Sequence, residues 1–227
     1  LRVVLRVRRW AARQLGVVQV SISDSVKQNE QTRFGNPTWL IYNWCDDLHF
    51  RLPSIEESSE SRKRLGLLEY QKVVVNVGNC APVKNHEAII HALALIKKNG
   101  LALLYWHIGE EDSEYKERTL TRELGLEAQV RFWGRQEDVR PFLWAADIFI
   151  MPSFYEGFGL VVLEALESGM QLVLANTPGL KDWATLIPEI IYTETSAADL
   201  ARGLLNALKT PKNLEQATQQ SASLKAK

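Results

Sequence analysis

Short apolar runs alternate with longer amphipathic ones along most of the chain. "KVVVNVG", "LALLYWHIG", "AQVRFWG", "ADIFIMPS" and "QLVLAN" each have strand length and are rich in β-branched or aromatic residues. Between them, "NHEAIIHALALIKKNG" places Ile89, Ile90, Leu93 and Ile96 at helical spacing and ends in a Lys-Lys-Asn-Gly stop. "SEYKERTLTRELG" predicts a charged helix closed by Gly125, "EDVRPFLWAA" a short one, and "LVVLEALESG" and "AADLARGLLNALK" two more. Near-continuous apolar strands are buried on both faces. Their alternation with helices predicts an α/β fold: a doubly wound, Rossmann-like parallel sheet with helices on each side.

The ends of the chain are patterned differently. "LRVVLRVRRWAARQLG" has five arginines and no acid, and predicts an amphipathic helix. One reading docks it on an anionic membrane surface or makes it a targeting segment; the plainer one gives it a solvated basic face. "GVVQVSIS" and "TWLIYN" read as strands around "SDSVKQNEQTRFG", a helix with Ser23 or Asp24 as N-cap and Gly35 as terminator. "RLPSIEESSESRKRLGL" suggests a linker and a short helix, and the polar "TPKNLEQATQQSASLKAK" a frayed tail.

Charge and composition then remove whole classes. The 227 residues carry 27 basic and 27 acidic side chains, which argues against a nucleic-acid binder. Cys45 and Cys80 form no CxxC pair, so no disulfide framework or structural zinc site is expected, and a reducing, cytoplasmic compartment fits. No apolar run reaches the roughly 18 residues that a membrane span needs. The start at Leu1 rather than at a methionine suggests a fragment or a processed form. His49, His86, His91 and His107 lie in different segments, so core or surface histidines are expected rather than metal ligands.

In parallel sheets, ligands sit at the carboxyl ends of the strands. That directs attention to "GNCAPVKN", "GEEDSE", "GRQEDV", "SFYEGFG" and "ANTPGLKD". In "SFYEGFG", Gly157 and Gly159 are able to take positive φ, and Leu160 opens a helix. The amides of Gly157, Phe158, Gly159 and Leu160 can converge on an anion, helped by the helix dipole. Glu164, one turn into that apolar helix, needs hydrogen-bond donors, which a ribose diol or a neighbouring cation would supply. Glu156 faces either sugar hydroxyls or solvent. Lys84, in the loop after another strand, is either a surface lysine or a point charge for a diphosphate.

These stretches resemble the donor half of a retaining GT-B glycosyltransferase of the group 1 (family 4) type. The likeness rests on "PSFYEGFGLVVLEALESG", with its E-x7-E pair Glu156 and Glu164, and on "NVGNCAPVKNH" with Gly78 and Lys84. "HIGEEDSEYKERTLTRELGLEAQVRFWG", "VSISDSVKQN" and "IYNWCDD" extend it over roughly residues 17 to 180. The resemblance implies a nucleotide-sugar donor, UDP- or GDP-linked, and a saccharide or lipid-linked acceptor, as in polysaccharide biosynthesis. It implies no metal cofactor and retention of anomeric configuration, with a donor phosphate oxygen taking the acceptor proton. Glu156 and Lys84 would be the catalytic residues. The sugar and diphosphate would be held at Gly78, Asn79, Gly157, Phe158, Gly159 and Leu160, the ribose at Glu164, and the base at Arg135 and Gln136. Residues 1–45 would be the end of an acceptor domain and the junction, 46–210 the donor domain, and 211–227 a polar tail.

Two positions depart from the family pattern: Asn79 stands where an arginine is usual, and Trp44 where a glycine is. The first leaves a second reading open, a nucleotide-sugar-binding or interaction module of the same fold without turnover. A dinucleotide oxidoreductase would need G-x-G-x-x-G after the first strand, and a metal-dependent GT-A enzyme a DxD motif; neither is present.

Overall fold

The computed structural model describes residues 2–46, 48–187 and 189–210; the expected polar tail lies outside them. The main sheet has six parallel strands in the order β5-β4-β3-β6-β7-β8. They are β3 (Val73–Val77), β4 (Leu104–Ile108), β5 (Val130–Phe132), β6 (Ile148–Met151), β7 (Gln171–Ala175) and β8 (Ile191–Thr193). Both faces are apolar because successive strand side chains point to opposite sides. Val74, Tyr105, Ile148, Ile150 and Val173 pack with Ile89, Ile90 and Leu93 of α4 (His86–Lys98) and Leu200 and Leu204 of α8 (Ala197–Lys209). Val73, Val75, Trp106, Phe149 and Leu172 pack oppositely, with Phe142 and Leu143 of α6 (Arg140–Ala145) and Val162 and Leu166 of α7 (Leu160–Glu167). Each buried aliphatic or aromatic side chain contributes about 1.5–3 kcal/mol. The remaining helices of this body are α3 (Ile55–Arg64), entered through a Ser54–Glu57 capping box, and α5 (Lys116–Glu123).

The strand order reverses between β3 and β6. From β3 the chain steps outward through β4 and β5, then returns to place β6 on the other side of β3. The β3–β6 ladder is short, pairing only Val74 with Ile148 and Val75 with Phe149. One residue further on, the Asn76 side chain takes over, its Nδ2 donating to the Ile150 carbonyl at 2.7 Å. The regular ladder between the two strands therefore ends short of their carboxyl ends.

The N-terminal part forms α1 (Arg2–Gln14), β1 (Val20–Ser21), α2 (Asp24–Phe34) and β2 (Trp39–Leu40). Ser23 caps α2 through its hydroxyl, and Gly35 ends it at φ 61°. The two strands are shorter than their apolar runs suggest: β1 and β2 pair only with each other, over two residues each. Ser25 joins this part to the main body, donating its backbone N–H and its hydroxyl to the Asp182 carboxylate at 2.8 and 2.7 Å.

Helix α1 keeps most of the expected solvated basic face, with Arg2, Arg6, Arg8 and Arg13 exposed, and adds contacts to α2. Arg9 makes a two-pronged ion pair with Glu30 and stacks on Phe34, and Arg6 donates to the Arg33 carbonyl, so these arginines serve as struts to α2. The apolar Val3, Val4, Val7 and Trp10 are exposed as well. Among the described residues, no helix is long and apolar enough to cross a membrane.

Candidate functional site

The crevice above β3 and β6 gathers most of the residues that the sequence pattern singles out. After β3, Gly78 to Ala81 lead into a 3-10 turn, Pro82–Lys84, and Asn85 turns the chain into α4 at φ 57°. After β6, Pro152 to Gly159 lead into α7. The Phe154 N–H donates to the Val83 carbonyl at 2.8 Å, which locks the two loops together. Asn85 adds side-chain bonds to the carbonyls of Pro152 and Thr195. Across this seam the Lys84 ammonium meets the Glu156 carboxylate, Nζ to Oε1 at 2.6 Å. Lys84 is thus no free surface lysine, and Glu156 no solvated acid: their side chains are 27% and 12% exposed.

Glu156 is also held from behind. Its N–H donates to the Pro178 carbonyl at 3.1 Å, and the residue after that proline, Gly179, sits at φ +86° directly against it. A Cβ on Gly179 would lie 2.1 Å from the Glu156 carbonyl oxygen, so only glycine permits this approach.

Gly159 precedes α7 with φ +76°, as expected, whereas Gly157 does not take positive φ; it lies against the Ile22 side chain. No side chain caps α7. The amides of Gly157, Phe158, Gly159 and Leu160 donate to no acceptor among the described residues, so the N-terminal end of the helix presents unspent donors. Phe158 also anchors the loop. Its ring is buried against Trp183 and Tyr42, and its carbonyl accepts the Trp183 indole N–H at 2.8 Å. The Tyr42 hydroxyl donates to Asp24, and burial first, with Asp24 next, pushes its pKa up to about 12.

Glu164 lies on the first turns of α7 among Val162, Leu163 and Ala165. Its carboxylate accepts no hydrogen bond and meets no cation among the described residues, which removes the neighbouring-cation reading. Burial alone raises its pKa.

The other expected residues line the rim. Asn79 is exposed, and its Oδ1 accepts the Glu110 N–H at 2.9 Å, bracing the loop after β4. Glu110 also faces Arg135 at 3.6 Å, with the Arg135 side chain 82% exposed. Gln136 Nε2 donates to the Trp133 carbonyl at 2.7 Å. Gly78 receives the next strand closely: a Cβ on Gly109 would fall 2.3 Å from the Gly78 carbonyl oxygen.

Beneath the Lys84 turn lies a group that sequence reasoning does not reach. His86 and His107 are buried, with ring centroids 4.8 Å apart, and Cys80 Sγ is 3.5 Å from His107 Nε2. Burial lowers the pKa of both histidines, that of His86 to about 3, with His107 and Lys84 adding to the effect there. Burial first, then Glu117, pushes the Cys80 thiol up to about 12. The signal in the sequence is weak, since the three residues come from a loop, a helix start and a neighbouring strand.

Comparison with known proteins follows the same outline. The family model described as "Glycosyl transferases group 1" matches residues 57–223. An uncharacterized glycosyltransferase of Methanocaldococcus jannaschii is 28% identical over 169 residues, 72% of this chain and 43% of that protein. A D-inositol 3-phosphate glycosyltransferase of Corynebacterium efficiens is 34% identical over 143 residues, 59% of this chain and 34% of that protein. The chain thus spans less than half the length of these curated relatives. Among solved structures, Anabaena HepE in complex with UDP and glucose superposes with a TM-score of 0.80 at 24% identity, covering 97% of this chain and 61% of that one. Sucrose-phosphate synthase of Thermosynechococcus elongatus gives a TM-score of 0.81 at 22% identity, covering 92% and 54%.

Proposed function

The chain belongs to the group 1 glycosyl transferase family, and from that premise we propose that it is the donor-binding part of a transferase using a nucleoside-diphosphate sugar. The observation that carries this reading is the meeting of Lys84 with Glu156 beside the unspent amides of α7, at the point where strand order reverses. Amides at a helix N-terminus and a nearby ammonium are the donors a diphosphate needs, and hydrogen bonds to charged groups contribute about 1.5–3 kcal/mol each. Glu164 would receive the two ribose hydroxyls, which supply the donors its carboxylate lacks. Glu156 would accept from hydroxyls of the sugar, and Arg135 and Gln136 would flank the base. HepE, similar in fold, was solved with UDP and glucose, which makes UDP the first nucleotide to test.

In this reading the transfer retains anomeric configuration. The bond from the anomeric carbon to the leaving phosphate breaks as the acceptor oxygen attacks from the same face, and a donor phosphate oxygen takes the acceptor proton. Lys84 stabilises the charge that grows on the leaving diphosphate. Glu156, already held by an ammonium at 2.6 Å, suits the positioning of hydroxyls better than nucleophilic attack.

The test is thermal unfolding of the chain with UDP, GDP and their sugar conjugates at millimolar concentration. UDP or GDP should raise Tm, and a conjugate should raise it further in the wild type than in Glu156→Ala. An unchanged Tm with every nucleotide rejects the donor site. One observation favours a binding module without turnover: Asn79, whose side-chain oxygen accepts the Glu110 N–H, brings no cation to a diphosphate. Release of free nucleotide from the donor by the full-length protein with its acceptor would exclude that module.

A further inference from the structure

Three elements bring potential metal ligands together below the Lys84 turn: Cys80 from the loop after β3, His86 from the first residue of α4, and His107 from β4. One ligand atom from each lies within 4.8 Å of the others. Cys80 Sγ and His107 Nε2 are 3.5 Å apart, close to the ligand-to-ligand edge of a tetrahedral site with bonds of about 2.0–2.3 Å.

Three of the four imidazole nitrogens lack partners among the described residues. His86 is 2% exposed, and neither of its ring nitrogens has a hydrogen-bond partner among the described residues. His107 is fully buried; Nε2 lies 2.9 Å from the Gly78 carbonyl and Nδ1 has no partner among them. Buried polar atoms without partners are rare, and a bound ion can satisfy them. An Nε2 that binds metal carries no proton, so it would give up its hydrogen bond to the Gly78 carbonyl, while Nδ1 keeps the ring proton. Glu117 Oε2, also buried and unpartnered among the described residues, belongs to a carboxylate that interacts with the Cys80 thiol. An open cavity of about 300 Å³, lined in part by Ala81, Asn85, His86, Asp112 and Glu117, gives the group access to solvent.

We propose that Cys80, His86 and His107 form a binding site for a single zinc ion, separate from the nucleotide-sugar crevice above it. Two imidazoles and a thiolate match the preference of Zn²⁺ for nitrogen and sulfur, and the thiol proton leaves as the metal binds. The site would act as a clip. Cys80 and His86 bracket the 3-10 turn that carries Lys84, and His107 belongs to the neighbouring strand. Bound zinc would therefore fix both ends of the turn to the sheet and hold Lys84 in register with Glu156.

Cobalt(II) titration of the full chain, stripped of metal and kept reduced, tests the assignment without any nucleotide. Wild type should develop a thiolate-to-cobalt charge-transfer band and tetrahedral visible absorption that saturate at one equivalent and bleach on adding zinc. The charge-transfer band should vanish in Cys80→Ser and persist in Cys45→Ser, which controls for the other thiol. His86→Gln should weaken cobalt binding about tenfold or more, and zinc should raise Tm in wild type but not in Cys80→Ser. Circular dichroism checks that each variant folds, and Cys80→Ala replaces Cys80→Ser if the latter does not. A wild-type protein without the band at excess cobalt, a band that survives loss of Cys80, or one lost with Cys45 overturns the proposal.

Discussion

Burial without a cation makes Glu164 a costly residue for folding. Its folded pKa lies above its unfolded value, so the folded state binds the proton more readily. Stability contributed by this group is then greatest in acid, falls as pH rises from the unfolded to the folded pKa, and stays low above both. Glu164→Gln removes the charge at nearly constant shape. It should raise stability at neutral pH, leave acid stability little changed, and flatten that part of the decline, as urea unfolding across the weakly acidic range would show. The same substitution should weaken UDP or GDP binding roughly tenfold, since hydrogen bonds to a charged acceptor contribute about 1.5–3 kcal/mol. Calorimetric binding that is equal in the two proteins would refute the ribose assignment. Opposite signs for stability and affinity would mark Glu164 as a residue retained for its ligand.

At the scale of elements, the loops of this site support one another rather than standing alone. The loop after β7 braces Glu156 through Gly179, where φ is +86° and there is no room for a Cβ. Gly179→Ala should cost about 1–3 kcal/mol in strain and displacement, and should reduce nucleotide affinity although residue 179 bears no polar side chain. Denaturant unfolding and nucleotide titration of the same variant measure the two effects; an alanine variant of full stability and affinity would show that the contact yields easily. How far such elements can be read from sequence depends on length and burial. The runs around Val73–Val77, Ile148–Met151 and Gln171–Ala175 are long and apolar, and the sheet follows from them. β8 is not legible, because Ile191–Thr193 is only three residues long and pairs only with β7 among the described strands. β1 and β2 are shorter than their pattern because apolar Val17, Val18 and Ile41, strand formers by type, stay exposed. Glu156, Glu164 and Lys84 are visible because loops after strands are few. The Lys84–Glu156 pair is not, since it spans 72 residues and depends on which strands become neighbours. The Cys80–His86–His107 group is hidden for the same reason.

For the whole molecule, the main sheet is sheathed on both faces, but the N-terminal part is not. Val3, Val4, Val7 and Trp10 on α1, with Val18, Val20 and Trp39 nearby in sequence or in the small sheet, are exposed apolar side chains. Surfaces of this kind associate. The chain should therefore self-associate as its concentration rises, and Val7→Lys with Trp10→Lys should shift it toward monomer in sedimentation velocity. Nucleotide binding should be unchanged, because the arginine struts of α1 hold it to α2 rather than to the crevice loops. A wild-type chain that stays monomeric at high concentration would contradict this expectation.

The short ladder between β3 and β6 also has a kinetic side. Val74 and Ile148 are far apart in sequence, and only two residue pairs join their strands before a side-chain bond takes over. Contacts of such separation close late, after the local β3–α4–β4 unit has formed, because the intervening chain must first give up its freedom. A ligand gripping the loops on both sides of that seam would stabilise an arrangement largely absent from the folding transition state. Nucleotide should then slow unfolding in stopped-flow denaturant jumps while leaving the refolding rate nearly constant. The crevice proposed to bind the donor would serve as the clasp that closes last and opens first.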